Sequence, residues 1–349
     1  MTAERNYNWD YLRFLASVAV VVLHVSYSYM SVASVERLPF VAMTAYNATT
    51  RFAVPVFFML SGLFLLSPDK KISIKDCWKR TAKLFAVFYI WSAFYGFQGL
   101  IMDYISGETI TGGMVAESFR RLLMGHGHMW FLFCLAAYYL MLPVARCISA
   151  NKSVLTYFCV FWIMLRFVIP FISIWLPLGY FNMWLAQFDF QFFMTYFGYF
   201  CLGYWLQITD IPKKLRAVLY ALGGISAVWI FAATVYESQK VNELVEDWLN
   251  PSALPPFVCA VSIFIFFKYH GEIAKGKWNR VIRQLSRYSL LIYMLHPFFV
   301  EKLNMIGINT IRFHAAWSVP VLSILIVAVC VGVAWVVDRI PVLNKVLLK

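Results

Sequence analysis

Ten stretches of this chain are each apolar over roughly the length a helix needs to cross a hydrocarbon layer, and that decides most of what it can fold into. The requirement is about 20 residues. The runs are 11–33, 44–66, 84–105, 129–148, 154–174, 190–208, 217–236, 254–270, 286–304 and 316–338. In lipid every backbone N–H and C=O must find its partner within the protein, which leaves only helices and closed barrels. A barrel needs strictly alternating apolar and polar residues, and no run alternates. The expected fold is therefore all-α and polytopic, with about ten transmembrane helices. Composition agrees: 62% of residues are hydrophobic and 13% charged, against about 45–50% and about 25% in soluble domains. A soluble enzyme, a nucleic-acid binder and a disordered chain are excluded. No segment between runs is long enough for a soluble domain, so residues 1–349 are expected to form a single integral-membrane domain. The first run exceeds a signal-peptide core and no small-residue cleavage pattern follows it, so it reads as a retained span.

The net charge of +13 is an orientation signal rather than a nucleic-acid footprint. With the N-terminus inside, 21 of the 30 Lys and Arg residues fall on the inner side, including Arg5, Lys275 and Lys349. Seven fall outside, and Arg13 and Arg166 lie within spans. That asymmetry predicts cytoplasmic termini. The loops 106–128 and 237–253, with Glu237, Glu243, Glu246 and Asp247, then face the opposite side. The seven cysteines have no paired spacing and read as small buried hydrophobes, with no metal site expected. No glycine-rich phosphate loop is present, so ATP-driven transport has no support.

Charged side chains inside a span cost at least ~2.5–3.5 kcal/mol on insertion scales, so each needs a reason. The first span reads NWDYLRFLASVAVVVLHVSYSYMS. Arg13 and His24 are eleven residues apart, about three helical turns, which puts them on one face roughly 16 Å apart. Asp10, Ser17, Ser28 and Ser31 fall near the same stripe. One reading is a packing face, with Arg13 paired to Asp10 and His24 a satisfied core histidine. The other is a water- or substrate-lined cavity, favoured by the length of the stripe.

Other polar groups could join it. His126 and His128 precede the fourth run, and Arg166 lies mid-span in the fifth. Arg51 lies in the outer part of the second. His296 is halfway through the ninth and is followed by Pro297, which interrupts the helical hydrogen bonding. For each, a structural hydrogen bond competes with a functional role. Lys79, Arg80 and Lys83 lead into the third span. They read either as membrane anchors or as a cytoplasmic phosphate site for a polyanion such as coenzyme A.

Four motifs together resemble acyltransferase family 3, the integral-membrane acyltransferases of bacterial surface glycans, from about residue 7 to residue 340. They are Asp10-x-x-Arg13 followed by His24, Arg51-Phe-Ala-Val-Pro55 running to Ser61-Gly62, His128-Met-Trp130-Phe-Leu, and Tyr288-Ser-Leu-Leu-Ile-Tyr293-Met-Leu-His296-Pro297. The chain looks most similar to the stand-alone O-acetyltransferases. It departs from the family at Phe14, where glycine is common, and at Lys79 and Lys83, where many members carry arginines.

The resemblance implies an O-acyltransferase of the bacterial inner membrane. It would move an acyl group, acetyl first among them, from cytoplasmic acyl-CoA to a hydroxyl of a surface polysaccharide or lipid-linked sugar. Acetyl-CoA would be a co-substrate rather than a resident cofactor. His24 would be the catalytic residue. Arg13, Lys79, Arg80, Lys83, Arg51, His128, Trp130, Arg166 and His296 would bind donor or substrate. Ten spans with buried charges also suit a transporter or flippase for a glycolipid or small solute.

Overall fold

The computed structural model describes residues 6–176, 178–188, 195–270 and 277–348. Arg5, Lys275 and Lys349 lie outside these residues, as does the start of the 190–208 run. The described residues form helices joined by turns and loops, without strands. In chain order the helices are α1 (Asn8–Tyr27), α2 (Leu38–Thr50), α3 (Ala53–Leu65), α4 (Ile74–Ile105), α5 (Gly112–Met124), α6 (Trp130–Leu140), α7 (Leu142–Ala150) and α8 (Lys152–Ile163). There follow α9 (Ile169–Ser173), α10 (Gly179–Leu185), α11 (Phe197–Ile208), α12 (Lys213–Val241), α13 (Leu254–Tyr269), α14 (Lys277–Arg287), α15 (Ser289–Met305) and α16 (Ala315–Asp338).

Seven helical segments among the described residues are long and apolar enough to cross a membrane. An eighth is possible if the pair Gly112–Leu140 and Leu142–Ala150, bent by 61°, counts as one broken span. Of the ten expected runs, seven or eight meet that length and hydropathy among the described residues. The ninth run is α15, only 17 residues long, with Pro297 inside it. The sixth survives as the 12-residue α11. The second run does form one crossing, but it bends through Arg51 and Phe52 between α2 and α3.

The chain divides into two compact bodies. The first holds residues 1–68 and 148–335, the second 69–147 and 336–349. In the first body α1 is central, packed by α2, α3, α13, α14 and α15. Its apolar residues Leu12, Ala16, Val20, Val21 and Val25 are buried. The tightest crossing is α3 against α11, and glycine makes it possible. A Cβ on Gly62 would lie 1.6 Å from the Phe200 carbonyl oxygen, and one on Gly203 would lie 2.0 Å from that of Met59. Helix pairs in lipid gain little from hydrophobicity, so backbones approach through small residues to maximise dispersion contact.

In the second body the long α4 packs α5 and α6. Ser73 and Asp76 start α4 with a reciprocal capping box, satisfying two of the N–H groups that a helix start leaves open. Gly125 ends α5 at φ +75°, a conformation that costs glycine nothing, and a side chain there would meet Phe88.

Candidate active site

The polar stripe of α1 divides into serines that bond their own helix and two residues, Arg13 and His24, that reach others. The Ser17 hydroxyl donates to the Arg13 carbonyl at 2.9 Å, and that of Ser28 to Val25 at 2.9 Å. These are local back-bonds, so the packing-face reading holds for the serines. The Arg13 guanidinium lies 5.1 Å from the ring centre of Phe64 on α3. Asp10 is buried.

His24 does more. Its Nδ1 lies 2.9 Å from the Val20 carbonyl and 3.2 Å from Nε2 of His296 on α15. The two rings meet edge to face, with centroids 4.7 Å apart and 64° between planes. His296 is fully buried, and its own Nδ1 lies 3.0 Å from the Ile292 carbonyl. The α15 sequence makes this possible. Its Tyr288-to-Pro297 stretch is buried at nearly every position, so the histidine faces protein and not lipid.

The carbonyls fix the tautomers. A carbonyl oxygen only accepts, so Nδ1 of His296 carries hydrogen and, in the neutral ring, Nε2 carries the lone pair. That lone pair accepts from Nδ1–H of His24. The lone pair of His24 is then on Nε2. A neutral imidazole with a committed N–H and a basic nitrogen on the other side is the arrangement a general base needs.

One turn along α1 lies a second network that the sequence reading did not anticipate. The Asn47 carboxamide donates to the Leu23 carbonyl and to the Ser26 hydroxyl, each at 3.0 Å. Its oxygen accepts from Arg51 Nε at 2.7 Å and also from Nη2. Tyr27 donates to the Glu246 carboxylate. Arg51 is therefore tied, through Asn47, to the carbonyl of the residue before His24. The sequence signal for it was present. Asn47 and Arg51 are one helical turn apart in an otherwise apolar run, and Tyr27 follows His24 by three.

The other expected residues fall in different places. Arg166, in the first body, donates to the Ser252 hydroxyl. His128 belongs to the second body, where its Nδ1 lies 2.7 Å from Nδ1 of His126. Tyr95 stacks on His126 at 4.5 Å. Trp130 starts α6 beside them. Lys79, Arg80 and Lys83 lie on one exposed face of α4, opposite buried Cys77, Thr81 and Leu84. Two further cations join that cluster. Arg146 donates to the Lys70 carbonyl. Burial first, then the charges of Arg80 and Arg146, pushes the Lys70 ammonium below its ordinary pKa. Crowding of cations of this kind favours the approach of an anion.

With this geometry in hand, comparison with known proteins is decisive. A family model described as an acyltransferase domain matches residues 6–339, nearly the whole chain. The chain belongs to acyltransferase family 3. No curated protein and no solved structure matches it. Acyltransferase family 3 membership and the apolar helices together make it a multi-pass membrane acyltransferase. The transporter reading has no comparable support. Within this family-3 chain the match spans α1 to α16, so it covers both bodies and both histidines of the dyad.

Proposed function

We propose that this protein is an O-acyltransferase of the bacterial inner membrane, taking an acetyl group from cytoplasmic acetyl-CoA. The acceptor is a hydroxyl of a surface polysaccharide or lipid-linked sugar on the outer face. Both termini are placed in the cytoplasm, on the cation asymmetry of the loops. The observation that carries the reading is the His24–His296 pair, 3.2 Å apart on two helices of one body.

In the proposed reaction Nε2 of His24 takes the proton from the acceptor hydroxyl. The hydroxyl oxygen attacks the thioester carbon, the C–O bond forms, and the C–S bond breaks. The proton passes from His24 to the departing sulfur, giving ester and free thiol. His296 acts through His24. Its Nε2 lone pair holds the Nδ1–H of His24 and stabilises the positive charge that the ring gains. General-base catalysis of this kind contributes typically ~10²–10⁴-fold. The donor's phosphates are assigned to Lys79, Arg80 and Lys83, with Lys70 and Arg146. Arg51 fixes Asn47 and hence the α1 backbone beside His24.

The test is mass analysis of surface glycans from cells with and without the chain, alongside radiolabelled acetyl-CoA offered to isolated membranes. Label on glycan, lost in His24→Ala, is the expected result. Acetylation at wild-type level in that variant would sink the assignment.

A further inference from the structure

A cleft in the first body remains unexplained by the donor chemistry. It lies where the chain leaves α12. Asn242 adopts a left-handed conformation, φ 55°, at the end of that helix, which asparagine tolerates better than most residues. Glu246 then accepts from Tyr27, a short 3-10 turn spans Asp247–Leu249, and a tight turn follows through Ser252. Ala253 N–H closes that turn by donating to the Asn250 carbonyl at 2.8 Å, and three further bonds brace it. Ser252 N–H donates to the Asn250 side chain at 2.9 Å, the Tyr199 hydroxyl donates to the Pro251 carbonyl at 3.0 Å, and Arg166 donates to the Ser252 hydroxyl.

Arg166 lies in a π turn, Met164–Val168, between α8 and α9. Turns of this type cluster at functional sites because they displace side chains from regular helical register. Between this turn and the 247–252 segment is a cleft of about 200 Å³. Its walls include Pro170, Phe171, Asp247, Trp248, Asn250 and Ser252. The volume is below the ~300–1,000 Å³ of pockets for drug-sized ligands, so it suits one ring rather than a coenzyme.

The lining chemistry narrows the ligand. Trp248 is 6% exposed and edge-on to Phe171 and Trp229, with centroids 6.5 and 5.6 Å away, so its ring is fixed. The partly exposed Phe171 ring, backed by Trp248, offers a fixed aromatic surface for the C–H face of a sugar. The exposed Asp247 carboxylate accepts from hydroxyls, and the Asn250 carboxamide is a polar group beside it. Asp247 puts a carboxylate in the lining, and its charge favours a neutral sugar over a uronic acid.

We infer that this cleft binds a single uncharged pyranose ring of the glycan acceptor, set against Phe171 and Trp248 and hydrogen-bonded to Asp247 and Asn250. The inference rests on the proposed acyl transfer to a glycan. The cleft is tied to the catalytic helix: Glu246, next to Asp247, holds Tyr27, three residues beyond His24.

The experiment is saturation-transfer NMR on the detergent-purified full chain. The probes are the methyl pyranosides of glucose, galactose and N-acetylglucosamine, with the methyl glucuronide as the anionic comparison. At least one neutral glycoside should give ring-proton signal. Losing the carboxylate bond in Asp247→Ala should weaken binding about tenfold. Trp248→Ala should do the same, while Trp248→Phe, which keeps an aromatic face, and His24→Ala should retain the signal. Asp247→Asn, the milder change, covers misfolding of the alanine variants. Absence of signal from every neutral glycoside, a stronger signal from the glucuronide, or full signal in Asp247→Ala and Trp248→Ala would each overturn the subsite. Free thiol released from acetyl-CoA is scored in the same preparation. Thiol release without sugar binding overturns the subsite alone. Sugar binding without thiol release or glycan labelling overturns the acyl-transfer reading and leaves the subsite standing.

Discussion

Nδ1 of His24 lies 3.2 Å from Nε2 of His296, and each ring is also held by the carbonyl four residues before it on its own helix. The pair therefore has one hydrogen-bond direction, running from His24 to His296. The two positions should respond differently to substitution. His24→Ala removes the base and should lower acyl transfer by about 10²–10⁴-fold. His296→Ala leaves the base but removes a bond to the developing imidazolium. Such bonds contribute ~1.5–3 kcal/mol, so the loss should be about 10–10²-fold. Rates per folded enzyme, from glycan labelling in membranes normalised for protein, check both. Equal losses would contradict the stated direction.

Asn47 should behave as a structural clamp with kinetic consequences. Asn47→Ala leaves the Ser26 hydroxyl and the Arg51 guanidinium without that partner and loosens α1 beside His24. Polar bonds between membrane helices average ~0.6 kcal/mol, so a thermal shift of a few degrees is expected. A larger fractional loss in turnover than in folded protein, measured on purified enzyme, would separate positioning from stability.

Gly62 and Gly203 should tolerate nothing larger. A side chain at either meets backbone, which cannot rotate away. Gly62→Val and Gly203→Val should yield little monodisperse protein by size-exclusion chromatography. Glycines that line open space, such as Gly224 and Gly332, should accept alanine without loss.

The cationic face of α4 carries a prediction about donor affinity. Lys79→Gln with Lys83→Gln should raise the Michaelis constant for acetyl-CoA and change the maximal rate less, because contacts far from the thioester bind ground and transition states alike. Lys70 adds a pH dependence. Its pKa is lowered by burial and by Arg80 and Arg146, and a bound phosphate would raise it again. Binding coenzyme A should therefore take up protons, and affinity should fall as pH rises through the lowered Lys70 value. Calorimetry in two buffers of different ionisation enthalpy reads the uptake directly.

Topology can be checked independently. Reporter fusions after residues 75 and 280 should report cytoplasm, and fusions near 115 and 245 the outer side. A cytoplasmic 237–253 loop would remove the two-sided reaction.

How much of this was legible in the sequence depended on range. The all-α membrane class follows from apolar run lengths, and the family from four local motifs. The number of crossings did not follow, because run length ignores where a helix breaks. Pro297 was visible in the sequence, whereas the short length of α15 and the break at Arg51–Phe52 within the second crossing emerge only in the fold. His24 stood out because a polar stripe can be read from helical periodicity. His296 was singled out for its depth and for Pro297 beside it, but nothing local ties residue 24 to residue 296. Asn47 and Glu246 were missed for the same reason. The cation cluster was found at Lys79, Arg80 and Lys83 but not at Lys70 and Arg146, which the fold brings in from either end of the second body.

The separation of 272 residues between the two histidines also bears on how the protein is made. While the chain is being synthesised and threaded into the bilayer, α1 is made well before α15. Until then His24 has no second ring to hold its N–H. A truncated translation product, or one stalled before α15, would sit in the membrane with half of the acid–base couple. Under the proposed reaction, acyl transfer would therefore rise when α15 joins α1, because only then is the His24 N–H held by the second ring.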